Sequence, residues 1–172
     1  MLSEGVKPAL IENVGKMTGM PVQPLAMNDE VQLELSYHIM EQTRKDLGDA
    51  YKKTPAHEVT EKMVRDLGRL GKKNRKGFYD YPESGAKHLW PELTQHWPTS
   101  GEQPEMSEIR KRLLYIQALE TARCFEEGVL TDVRDADVGA IFGWGFAPYT
   151  GGPLSLIDTI GSRAFVADCD EM

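Results

Sequence analysis

The sequence is short of several features that would each point to a function. It has 2 cysteines, and Cys124 and Cys169 have neither metal-ligand spacing nor the makings of a disulfide framework. A reducing, intracellular and cytoplasmic setting is read from this. His38, His57, His88 and His96 lie on separate segments, with no His-x-x-x-His or His-Glu-x-x-His spacing for a metal. Basic residues number 20 against 27 acidic ones, a formal charge of −7, which excludes general nucleic-acid binding. No apolar run approaches the roughly 20 residues of a membrane span. Met1 to Val6 shows neither the basic nor the apolar region of a signal peptide. Asp132, Asp135 and Asp137 begin like a calcium loop but lack its closing glutamate; acidic residues at a helix start are the simpler account.

What is present centres on residues 143–161. Gly143, Gly145, Gly151, Gly152 and Pro148 are interleaved there with Trp144, Phe146 and Tyr149. Aromatics this dense among turn formers predict a rigid, partly buried loop. Pro153 then suits the first turn of a helix bearing Leu154, Leu156, Ile157 and Ile160.

Taken in order, Pro8 to Met17 reads as a helix with a stripe of Leu10, Ile11, Val14 and Met17. Gly19 to Pro24 breaks the chain. Residues 31–37 alternate as a strand would, but the run continues through good helix formers to Leu47, so a helix is predicted. Another helix is expected from about Thr60 to Leu70, with Met63, Val64, Leu67 and Leu70 on one face. Arg69 to Gly77 is the one basic cluster of an acidic chain. Phe78, Tyr79 and Tyr81 follow as a short extended segment, and residues 82–105 read as a surface linker anchored by Trp90 and Trp97. Ser107 is then expected to cap a long helix to about Gly128, whose stripe of Ile109, Leu113, Ile116 and Cys124 contains Glu120. A carboxylate inside such a stripe predicts a buried group paired with Arg123.

The chain repeats itself. Leu2-Ser-Glu-Gly-Val6 aligns with Phe125-Glu-Glu-Gly-Val129, and Pro24-Leu-Ala-Met-Asn-Asp29 with Pro153-Leu-Ser-Leu-Ile-Asp158. Two related domains are expected rather than a solenoid. The first repeat covers 1–97, with the basic turn and linker, and the second covers 98–172. A long helical stretch precedes Glu127, whereas only Met1-Leu-Ser precedes Glu4; the first copy runs far beyond Asp29, the second stops soon after Asp158. Both copies are therefore expected to be incomplete, the first lacking its opening helix and the second its C-terminal part.

Three stretches carry a family resemblance: Gly19-Met-Pro-Val-x-Pro24 with Asp29, Lys72-Lys-Asn-x-Lys-Gly-Phe-Tyr-Asp-Tyr81, and Phe142-Gly-Trp-Gly-Phe-x-Pro-Tyr-x-Gly-Gly-Pro153 with Asp158 and Gly161. In that order they resemble the C-terminal helical region of 3-hydroxyacyl-CoA dehydrogenases, in the duplicated form found in bacterial multifunctional fatty-acid oxidation enzymes. Two departures stand out, Gln23 and Arg75, each where the family usually has a turn glycine. The resemblance implies an all-α fold like the C-terminal region of 6-phosphogluconate dehydrogenase. It also implies NAD-dependent oxidation of L-3-hydroxyacyl-CoA in β-oxidation by the full-length protein.

The same resemblance limits what these residues can do alone. In the family, NAD sits on a Rossmann domain and a His-Glu pair abstracts the hydroxyl proton. Gly143-Trp-Gly-Phe-Ala-Pro148 begins a dinucleotide fingerprint, but has proline at the third glycine and no preceding strand. No catalytic residue and no metal ligand is therefore assigned, and the chain alone is expected to be inactive. The family match makes Lys73, second lysine of the Gly-Lys-Lys turn, a cofactor contact, against the plainer reading of a solvated basic turn. It makes Phe142 a substrate contact, against the plainer reading of a core phenylalanine. Expected partners are the 3-hydroxyacyl-CoA substrate, the Rossmann domain, and a second copy or a thiolase subunit. The competing reading is a helical assembly module with no ligand of its own.

Overall fold

The computed structural model describes all 172 residues, most of them helical. They form two compact units, one of Met1–Glu12 with Val22–Gln103, the other of Asn13–Pro21 with Pro104–Met172.

In the first unit the chain enters helix α1 (Pro8–Met17), which ends in the second unit, and resumes with α2 (Pro24–Val31) and α3 (Leu33–Leu47). Gln23 is extended, at φ −69° and ψ 156°, a conformation open to any residue. The departure from glycine there costs nothing. The alternating pattern of residues 31–37 folds as helix because Leu33, Tyr37 and Met40, spaced by four and three, are the buried positions. One break interrupts it, at Gln32. The next helix begins earlier than its sequence suggests. Thr54 caps α4 (Pro55–Glu61), which passes into a π-helical turn over Lys62–Asp66 and ends before Leu70. Of the expected face only Met63 is fully buried; Val64, Leu67 and Leu70 are half-buried.

The extended segment is strand β1 (Tyr79–Asp80), paired antiparallel with β2 (His88–Leu89), and α5 (Leu93–His96) follows. The linker is thus partly built. Trp97 is buried, and Trp90 lies under the Arg69 guanidinium, 4.1 Å from its ring centre. The end of the segment is tied back to the N-terminus: Ser100 N–H donates to the Gly5 carbonyl at 2.8 Å, and Gln103 accepts from Lys7 N–H at 2.8 Å.

In the second unit, α6 (Met106–Glu126), α7 (Val133–Trp144), α8 (Pro153–Ile160) and α9 (Ser162–Glu171) enclose Leu114, Tyr115, Ala118, Ala140, Phe146, Ala147 and Phe165. Tyr115 and Phe165 pack with ring centres 4.6 Å apart. The Tyr115 hydroxyl donates to Asp168 at 2.9 Å, and burial together with that carboxylate pushes its pKa up to about 12. Two expectations for α6 are corrected. Its N-cap is Glu105, without a side-chain cap bond, so Ser107 lies inside the helix. Its buried face runs through Ile109, Leu113, Leu114, Ala118 and Thr121, leaving the Glu120 side chain 66% exposed. Glu120 does meet Arg123, at 3.4 Å, but a surface pair of this kind contributes little.

Candidate functional site

The basic turn is rigid, and its own sequence explains how. Asn74 accepts from Leu70 N–H at 3.2 Å and donates to the Gly68 carbonyl at 2.9 Å. Gly71 and Lys76 exchange backbone hydrogen bonds of 2.9 and 3.2 Å across the turn. Arg75 sits between them at φ 61° and ψ 15°, the left-handed region where glycine is favoured. Arg69 is not a surface cation at all. It is buried, and donates to the carbonyls of Gly77 at 2.6 Å and Tyr79 at 3.2 Å and to Asp80 at 2.6 Å.

Asp29 holds the far side of the turn. Its side chain, 0% exposed, accepts from Phe78 N–H and Tyr79 N–H at 2.8 Å each and from the Tyr81 hydroxyl at 3.1 Å. Burial raises the Asp29 pKa above its ordinary value, and the backbone bonds from Tyr79 and Phe78 oppose that shift. Gly77 is obligatory here, since a Cβ would overlap the Asp29 carboxylate. Glu12 makes the second carboxylate bond of this cluster, accepting from the Tyr79 hydroxyl at 2.5 Å and from Leu25 N–H at 2.6 Å. The burial of Tyr79 and Tyr81 beside these carboxylates pushes both phenols well up.

The turn thereby presents Lys72 and Lys73 outward. Lys72 pairs with Glu30 at 2.8 Å through both carboxylate oxygens, while Lys73 makes one bond of 3.1 Å, to Glu34. Arg75 pairs with Glu83 at 2.7 Å. Lys72, Lys73 and Arg75 are thus each paired with a carboxylate, and Lys73 is more exposed than Lys72, at 67% against 53%.

Phe142, the other expected site residue, belongs to the second unit. It is 86% exposed, which corrects the core reading. Helix α7 turns its small residues Ala136 and Ala140 inward, with Asp137, and carries Val138 and Phe142 on the opposite side. The loop after it is built as its glycines predict. Gly145 caps α7 at φ 75°, where a Cβ would lie 2.5 Å from Pro21, and Phe146 and Ala147 fill the core. Asp137 accepts from Leu154 N–H at 2.8 Å and from the Ser155 hydroxyl at 2.6 Å, anchoring the start of α8.

Glu12 and Asp137 escaped the reading of the repeat, yet they do the same work. Each carboxylate, on the preceding helix, binds the amide of the leucine in a Pro-Leu pair. Charge at a helix start suits its dipole. The histidines are structural or exposed: His57 completes the α4 cap, accepting from Thr54 N–H at 3.2 Å, and His96 stacks on Trp90 at 5.1 Å. No group of three His, Cys, Asp or Glu side chains is placed to hold a metal, and no helix is long and apolar enough to cross a membrane.

Helices α1 to α3, the carboxylate cluster and the Gly-Lys-Lys turn all lie within one stretch that resembles a known domain. Residues 1–81 match the model of the 3-hydroxyacyl-CoA dehydrogenase, C-terminal domain. The similarity extends beyond it. The fatty acid oxidation complex subunit alpha of Shewanella oneidensis is 34% identical over 170 residues, which span 96% of this chain and 23% of that protein. The same subunit of Shewanella amazonensis is 36% identical over 153 residues, 86% of this chain and 21% of that protein. Among solved structures, the dehydrogenase part of multifunctional enzyme 1 from C. elegans aligns with a TM-score of 0.59 and 26% identity. That alignment covers 82% of this chain and 32% of the other. The chain thus spans less than a quarter of the length of these bacterial relatives.

Proposed function

We propose that these residues form the helical C-terminal part of an NAD-dependent 3-hydroxyacyl-CoA dehydrogenase that converts L-3-hydroxyacyl-CoA to 3-oxoacyl-CoA in β-oxidation. They would do so within a larger multifunctional, cytoplasmic enzyme, in two incomplete repeats, 1–97 and 98–172. The observation that carries the reading is the Lys73 turn: a rigid frame, held by Asp29, Asn74 and Arg69, that presents the Lys73 ammonium, more exposed than that of Lys72. An ammonium fits a phosphate or ribose oxygen of a dinucleotide, where charge-assisted hydrogen bonds are strong. No pocket for a nicotinamide ring is assigned among these residues, so that part of the site is given to a separate Rossmann domain. NAD, when bound there, accepts the hydride; Lys73 would hold it, and Phe142 would lie against the acyl substrate.

A second reading, a helical assembly module, is favoured by the exposed apolar side of α7, where Val138 and Phe142 stand out. A second copy or a thiolase subunit would cover it. The two readings are compatible.

The cofactor reading is checked by NAD titration of the full-length protein. Lys73→Ala is expected to raise Kd about tenfold or more, the loss of one charged hydrogen bond. Lys72→Ala should do much less, because Glu30 already engages that ammonium through both oxygens. Equal effects would reduce Lys73 to part of a diffuse basic patch.

A further inference from the structure

Two helices of this chain begin with Pro-Leu and end on a residue with positive φ. Helix α8 ends at Gly161, with φ 88° and ψ 129°. Helix α2 ends at Gln32, with φ 79° and ψ 117°. The two residues stand at the same distance after Pro153 and Pro24, so one backbone conformation is met by glycine in one place and glutamine in the other. Glycine adopts it freely, whereas a side chain is strained there. Arg75, the other non-glycine residue with positive φ, has the milder left-handed geometry. A glycine at position 32 would therefore serve the backbone better than the residue present.

What glutamine adds is a side-chain acceptor over the basic turn. Its Oε1 accepts from Lys73 N–H at 3.1 Å, and its Nε2 donates to the Glu30 carbonyl at 3.4 Å. The turn is packed hard against this point. A Cβ on Gly71 would come within 2.8 Å of the Asp29 carbonyl oxygen and 3.3 Å of Gln32 Oε1. Glu30 and Glu34, either side of Gln32, receive the ammonium groups of Lys72 and Lys73. The end of α2 and the start of α3 thus hold the turn by both its backbone and its side chains.

We propose that Gln32 is a positioning residue for Lys73. It keeps a strained backbone so that its amide can fix the Lys73 peptide and aim the ammonium at a dinucleotide oxygen. The inference rests on the cofactor reading of Lys73 given above, and its test separates the two.

Gln32→Gly removes the acceptor and relieves the strain; Gln32→Glu keeps an acceptor oxygen. In the 172-residue chain, amide hydrogen exchange at Lys73 should quicken roughly tenfold in Gln32→Gly, the factor one hydrogen bond is worth, and stay protected in Gln32→Glu. The melting temperature of Gln32→Gly should equal or exceed that of the parent. In the full-length protein, Gln32→Gly should weaken NAD binding severalfold despite that stability, an effect a merely structural residue would not produce. Unchanged Lys73 exchange in Gln32→Gly overturns the proposal. So does unchanged NAD affinity in that variant where Lys73→Ala does weaken binding. If Lys73→Ala also leaves NAD binding intact, the cofactor reading has failed and the positioning role falls with it, whatever the exchange rates show.

Discussion

Replacing Asp29 by alanine is expected to lower the unfolding free energy by about 2–4 kcal/mol. The substitution strands the N–H groups of Phe78 and Tyr79, which have no other acceptor in the cluster and sit at the root of strand β1. Each unsatisfied buried donor costs about 1–3 kcal/mol. The Tyr81 hydroxyl also loses its acceptor, but it can rotate, and we count it as minor. One effect works the other way. The raised pKa of Asp29 shows that burying this carboxylate is itself unfavourable, and alanine removes that cost. The donors outweigh it, which keeps the net effect a loss but in the lower half of the simple sum. Denaturant titration of parent and variant measures it directly. A midpoint that does not move would mean that the turn holds itself without Asp29.

Gly152→Ala should cost more, about 3–5 kcal/mol, because two penalties meet at one atom. At φ 124° and ψ 173° the backbone lies where only glycine is at ease. A Cβ there would also run into the Asp137 side chain, the one that anchors Leu154 N–H and the Ser155 hydroxyl at the start of α8. The new methyl must displace that carboxylate or the loop, and either move loosens Phe146 and Ala147 in the core. Gly143 supplies the control. It lies within α7, and a Cβ there meets nothing within 4 Å. Gly143→Ala should therefore leave stability unchanged or raise it slightly, as helix propensity favours alanine. Equal losses at the two glycines would show that the 145–152 loop is not the anchored element described.

How far the sequence could be read varied with the range of the interactions. Local chemistry was legible. Pro153 at a helix start and Asp132 and Asp135 as acidic residues at a helix start are each decided within a few residues, and each is found. Arg75 stood out as a departure from a glycine turn, and it does take a left-handed φ. Helix faces were less secure. A stripe through Ile116, Glu120 and Cys124 satisfies helical spacing as well as the true face through Leu114, Ala118 and Thr121, and only packing chooses between them. The core reading of Phe142 failed for the same reason, since the small residues of α7 pack inward and the aromatic does not. The carboxylate cluster was out of reach. Asp29 and Phe78 are 49 residues apart, and nothing local to either announces the bond. The alignment of Asp29 with Asp158 was a real signal that this position mattered. It did not reveal that one would be buried and the other exposed.

We propose that this chain contributes a frame and one cofactor contact to a dehydrogenase whose chemistry is completed elsewhere. Hydride transfer requires a held nicotinamide and a base within about 3 Å of the substrate hydroxyl. Neither is assigned among these residues. The most direct test is NAD-dependent oxidation of L-3-hydroxyacyl-CoA, measured as NADH formed, for the 172-residue chain and for the full-length protein. NADH is expected from the full-length protein and none from the chain alone. NADH formed by the chain alone would contradict the proposal.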